Sequence, residues 1–186
     1  MADIKRLAAK SLAGILGSVT AAGLLFTSIP LEESGRKVDV TIAPTGAPTI
    51  RHVSGPQYLR AYLDAVRVPT ACDGITRGVR MGQTYTEAQC TILLEAELAE
   101  MATQVVRCVP ALYGRPNQAA AAVSLAYNIG WPSFCRSTAA RRFNAGQWAA
   151  GCDAFTMWNK AGGRVLAGLV ARRARERQLC RKGLLA

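Results

Sequence analysis

Asp64 and Thr70 stand six residues apart in the stretch "YLDAVRVPT". A turn between them can bring a carboxylate and a hydroxyl to one wall of a cleft, where the pair orients and deprotonates a water molecule. Inverting hydrolysis of a glycosidic bond needs such a water activator, with a general acid on the far side of the bond. The same two residue types also serve ordinary turns. The acid has to reach the bridging oxygen and keep its proton near neutral pH, which asks for partial burial. Asp73, between Cys72 and Gly74, is the best local candidate for it. Glu32, Glu33 and Asp39 sit further upstream, and the single histidine, His52, is a proton donor when charged. Glu87, Glu95, Glu97 and Glu100 read as the solvated face of one helix.

The six cysteines, Cys72, Cys90, Cys108, Cys135, Cys152 and Cys180, include no C-x-x-C pair. With one histidine this argues against zinc, which takes clustered Cys and His, and no metal or cofactor is expected. An even number of separated cysteines suits three disulfides in an oxidising compartment, and the spacing alone leaves fifteen pairings open. The formal net charge of +11 over 186 residues favours a polyanionic partner: nucleic acid, anionic lipid or a wall polymer.

The N-terminus separates these partners. Residues 11–29 carry no charge, Lys5, Arg6 and Lys10 precede them, and Glu32 and Glu33 follow. Nineteen helical residues reach about 28 Å, close to the hydrocarbon thickness of a bilayer. The basic flank stays in the cytoplasm and the rest of the chain is exported, which conflicts with nucleic-acid binding. Eleven of the 19 residues are Gly, Ala, Ser or Thr. Each adds little insertion energy, so the span reads as a signal-anchor able to leave the membrane uncut. A plain anchor and a cleaved signal are the alternatives.

Residues 31–53, with Pro44, Gly46 and Pro48, read as an extended tether in which "KVDVTIA" can form a short strand. "GPQYLRAYLDA" has the spacing of a short amphipathic helix, and the stretch from Val66 to Gly82 that of a small hairpin. Thr86 and Gln89 form a capping box for a helix running to Pro110. Further helices are expected at about 117–128, 133–144, 147–158 and 166–182. The fold class is α+β, mostly α. The expected division is 1–30 signal-anchor, 31–53 linker and 54–186 soluble domain.

From Gly55 to Cys180 the chain resembles the phage-type lysozymes, and with its N-terminus the signal-anchor-release endolysins among them. The likeness rests on "AYLDAVRVPTACDGIT", "MGQTYTEAQC", "AAAAVSLAYNIG", "FCRSTAARRFNAG", "GCDAFTMW" followed by "AGG", and "GLVARRARERQLC", in that order. It implies a muramidase that cuts bacterial peptidoglycan during host lysis, held first at the inner membrane and then released to the periplasm as a monomer. Asp64 and Thr70 inherit the water-positioning roles. The pairing it suggests is Cys72–Cys90, Cys108–Cys135 and Cys152–Cys180. The family carries a Glu nine residues before its Asp, and here a gapless reading puts Gly55 at that place. A second reading therefore stands beside the first: a catalytically inactive wall-binding or lysis-regulating protein.

Overall fold

The computed structural model describes residues 11–184. The charged flank Lys5, Arg6 and Lys10 lies outside them. Eight α-helices and three two-stranded antiparallel hairpins are described: α1 (Leu12–Leu16), α2 (Val19–Ser34), β1 (Lys37–Ile42), β2 (Pro48–Ser54), β3 (Tyr62–Leu63), β4 (Pro69–Thr70), α3 (Glu87–Cys108), α4 (Pro116–Ile129), α5 (Trp131–Cys135), α6 (Thr138–Asn144), α7 (Trp148–Asp153), β5 (Lys160–Ala161), β6 (Arg164–Val165) and α8 (Ala167–Arg181).

The apolar N-terminal stretch is broken in two and folded into the protein. Ser11 accepts from the Gly14 amide to cap α1, and Ser18 accepts from the Ala21 amide to cap α2. Between them Gly17 takes φ +65° and ends α1. A Cβ there would stand 2.5 Å from the Tyr113 ring, so the break also needs glycine for space. α2 buries Ala21, Ala22, Leu25, Phe26, Ile29 and Pro30, one helical stripe, against the core. Among the described residues no helix is long and apolar enough to cross a membrane.

The expected tether is a hairpin. β1 and β2 pair from Lys37↔Ser54 to Ile42↔Pro48, and Val38, Val40, Ile42 and Ile50 lie against the core. Alternation of apolar residues at 38, 40 and 42 builds this half-buried strand. The expected helix over 55–65 is absent. Gly55 takes φ +89° and Pro56 follows it. The Ala61 amide donates to Gln83, the Tyr85 amide to Leu59 and the Cys72 amide to Tyr58. These long-range bonds take the groups a helix would have used, and Tyr58 and Leu63 of the expected apolar stripe are left exposed.

α3 has its capping box in place, with Thr86 Oγ1 accepting from Gln89 and Gln89 Oε1 from Thr86. It joins two hydrophobic clusters. Its first turn puts Cys90 among Ala61, Ala71, Cys72, Ile75 and Val79, and Leu94, Leu98, Ala102 and Val105 continue into the main helical core. The expected helix at 133–144 is interrupted where Ser137 caps α6, and β5–β6 turns at Gly162 and Gly163, both with positive φ. The disulfides are Cys72–Cys90, Cys108–Cys135 and Cys152–Cys180, the pairing the resemblance implied.

Candidate active site

Asp64 directly follows β3 and closes the β3–β4 turn. Its Oδ1 accepts from the Val66 amide at 3.0 Å and the Val68 amide at 2.8 Å. Two bonds to one oxygen fix the carboxylate and leave the second oxygen outside them. Thr70 faces Tyr62 across the hairpin, and its hydroxyl donates to the Val68 carbonyl at 3.0 Å. Asp64 and Thr70 are thus tied to the same residue, Val68, one through its amide and the other through its carbonyl. Asp64 is half-buried, and Thr70 is buried.

Asp73 sits elsewhere in the same lobe. It is 1% exposed. Arg36 clamps it with Nε on Oδ1 at 3.0 Å and Nη2 on Oδ2 at 2.6 Å, and Ser34 Oγ donates to Oδ1 at 3.1 Å. Both oxygens are therefore occupied. Asp39 is exposed and paired with Arg51. His52 lies on β2 opposite Val38, its amide donating to Glu87 Oε1 at 2.8 Å. Glu32 meets Arg175 of α8 through two bonds of 2.7 Å. Burial would raise the Glu32 carboxyl, but the Arg175 bonds and charge outweigh it and hold it below the ordinary value.

Glu33 is the carboxylate that reaches the loop beyond Thr70. It lies one residue before the end of α2. Its side chain is 22% exposed, and Oε1 accepts from Arg172 Nη1 at 2.8 Å. A Cβ at Gly74 would stand 3.2 Å from Glu33 Oε2 and 3.4 Å from its Cβ and Cγ. Gly74 therefore packs face-on against this side chain, at the other end of the segment that begins with Thr70. The Tyr62 phenol, beside Thr70, is pushed up by burial first and then by the charges of Tyr58, Asp64, Glu33 and Asp73. The carboxylates of Glu33 and Asp64 both act on that ring.

Behind Glu33 stands a buried ionic network. Arg172 also donates through Nε to Glu176 Oε1 at 3.2 Å, Arg173 pairs with Glu176 at 2.7 Å, and Ser124 donates to Glu176 at 2.8 Å. Arg173 continues to Asn128 Oδ1 at 3.1 Å. Burial works against the Arg172 cation, yet the charges of Glu33 and Glu176 hold it above its ordinary value. The carboxyl of Glu176 is pushed up by burial against the pull of Arg173 and Arg172. Removing one member of such a buried network leaves an uncompensated charge, so the last helix fixes the end of α2. Among the described residues no cluster of three or more His, Cys, Asp or Glu is placed to hold a metal.

The sequence puts Glu33 on an extended tether because no local signal marks the return of the chain. Gly35 and Gly55 are twenty positions apart in sequence, yet a Cβ on Gly55 would run into the Gly35 carbonyl and stand 3.2 Å from Arg36 Cα. The β1–β2 hairpin leaves and re-enters at one point. Pairing the "KVDVTI" strand with "PTIRHVS" across the Pro44–Gly46 turn would have revealed it.

The phage lysozyme family profile matches residues 55–176, and the chain belongs to that family. It is 36% identical over 129 residues to the SAR-endolysin of Enterobacteria phage P21, covering 69% of this chain and 77% of that protein. The endolysin of Salmonella phage P22 is 33% identical over 143 residues, 74% of this chain and 96% of that one. The active form of the P1 phage endolysin Lyz aligns with a TM-score of 0.66 over 94% of this chain and 96% of its own, at 24% identity, which speaks for the fold.

Proposed function

We propose that the protein is an endolysin-type muramidase hydrolysing the glycan strand of peptidoglycan during host lysis. Asp64 and Thr70 orient and activate the water, and Glu33 donates the proton to the departing sugar oxygen. The observation that carries this reading is the packing of Glu33 on Gly74. It sets a half-buried carboxylate against the loop that follows the Asp64–Val68–Thr70 unit. The hairpin supports this assignment: it brings Gly55, nine residues before Asp64, back to Gly35, two residues past Glu33. Catalysis needs no bound group, and the protein acts as a monomer. The experiment is digestion of purified peptidoglycan by the soluble full-length protein, read as new reducing ends. A folded protein that binds the wall and releases none would leave only the wall-binding reading.

The same reading covers the N-terminal segment. Residues 11–29 serve first as a signal-anchor in the inner membrane and then dock as α1 and α2, delivering the chain to the periplasm. Leu12, Leu16, Leu25, Phe26 and Ile29 are fully buried in the docked state. Full burial of such a side chain from water contributes about 1.5–3 kcal/mol, and lipid offers much the same, so these residues favour neither state strongly. The small residues leave the balance near even. Replacing Gly14, Gly17 and Gly23 with Leu adds about 0.3–0.6 kcal/mol of insertion energy each, and at position 17 the new side chain also meets Tyr113. Fractionation after membrane depolarisation is expected to find wild type soluble and uncut, and the triple variant in the membrane. Cleavage near residue 30, or wild type fixed in the membrane, would contradict release.

A further inference from the structure

We infer that the buried Arg36–Asp73 ion pair is a positioning latch for the acid, holding Glu33 in register with the loop that carries Thr70; the inference rests on Glu33 being that acid. Arg36 is 3% exposed and Asp73 is 1% exposed. Every nitrogen of the Arg36 guanidinium has a partner: Nε and Nη2 on Asp73, and Nη1 on Glu87 Oε1 at 3.4 Å. Glu87 also accepts from the His52 amide at 2.8 Å, so one cation joins the hairpin base, the start of α3 and the loop at 72–74. Asp73 gathers the rest. Ser34 Oγ reaches its carboxylate at 3.1 Å, and Tyr127 Oη donates to its backbone carbonyl at 3.2 Å.

The placement of these residues gives the pair its role. Ser34 and Arg36 lie one and three positions after Glu33, and Asp73 directly precedes Gly74, on which Glu33 packs. The two chain segments that must meet for Glu33 to face the Asp64–Thr70 unit are thus fastened at the next available residues on each side. Cys72, bound to Cys90, anchors the loop side. On the helix side, α2 ends at Ser34 and Gly35 turns the chain at φ +72°. Without the ion pair, the charged ties left on the end of α2 would be those of Arg172 and Arg175 from α8. Those contacts fix Glu33 to the helical core and not to the loop. A misplacement of about 1 Å in a reacting group can cost on the order of 10²-fold in rate.

Asp73 acts through Glu33 and touches no substrate, which separates it from a catalytic acid. The test uses full-length soluble protein acting on soluble uncrosslinked glycan strands, with kcat, KM, the pH–rate profile and thermal melting read for each variant. Asp73→Asn is expected to lower kcat at least tenfold with KM within about twofold, and to keep both limbs of the pH profile. The apolar pair Arg36→Met with Asp73→Leu is expected to recover melting without recovering kcat. Full kcat in the melted-back apolar pair, or a loss in Asp73→Asn that merely follows the unfolded fraction, would make the pair a stability element and overturn the inference. Loss of one limb in Asp73→Asn would make Asp73 the acid and overturn it too. Glu33→Gln tests the underlying reading by itself: if it abolishes turnover while Asp73→Asn leaves kcat intact, the acid stands and the latch falls.

Discussion

Glu33→Gln is expected to lower turnover on purified peptidoglycan by 10²- to 10⁴-fold, roughly 3–5 kcal/mol of barrier, while leaving the protein folded. The amide keeps the shape of the side chain and an oxygen for Arg172 Nη1, the one hydrogen bond Glu33 accepts among the described residues. It cannot give up a proton to a leaving sugar. Arg172 keeps its contact with Glu176, so the buried cation is not stranded. The measurement is reducing-end release at equal concentrations of folded protein, with melting curves to establish that the fold is intact. Turnover within about threefold of wild type would remove Glu33 from the chemistry.

Gly55→Glu is expected to damage the protein. The gapless reading of the sequence invites this substitution as the repair of a lost acid, and the structure reverses its sign. Position 55 has φ +89°, a conformation that costs a non-glycine residue about 1–3 kcal/mol. The new Cβ would run into the Gly35 carbonyl, with Arg36 Cα 3.2 Å away, and overpacking of this kind adds about 1–3 kcal/mol more. Backbone on both sides cannot swing away as a side chain can. Thermal melting should fall, and turnover should fall with it, because the strained junction lies between Glu33 and the latch. Gly55→Ala carries the same strain without the charge and should lose a similar amount of stability. A Gly55→Glu protein with unchanged melting and raised activity would mean that the hairpin does not close on Gly35.

Where local chemistry decided the structure, the sequence was legible. The Thr86–Gln89 capping box and the apolar stripe through Leu94, Leu98 and Val105 announced α3 to within a residue or two. Asp64 and Thr70 declared themselves as a turn pair, and the shared tie to Val68 follows from that turn. Long-range closure was not legible. Nothing local to Glu33 says that the chain returns to Gly35 twenty positions later, so the acid looked absent and Asp73 looked like its substitute. Asp73 is polar, near the site and beside a glycine, all of which suit an acid. Its partner Arg36 comes from 37 residues away, and only that partner shows that its carboxylate is already engaged. The stretch at 55–65 failed for a related reason: the backbone bonds at Tyr58, Leu59 and Ala61 go to residues 72, 85 and 83, beyond the short window in which a helical period is read.

The most direct test of the account is the identity of the new chain ends. Purified peptidoglycan is digested with the soluble full-length protein, the products are reduced with borohydride, and the fragments are identified by mass spectrometry. Hydrolysis with Glu33 as acid and a water held by Asp64 and Thr70 predicts muramic acid at every new end, recovered as its reduced alcohol, and no such product from the Glu33→Gln protein. Anhydromuramic ends would mean that no water attacks. Glucosamine ends would mean that the other bond is cut, and release undiminished in Glu33→Gln would mean that the acid lies elsewhere. Each of these results contradicts the account.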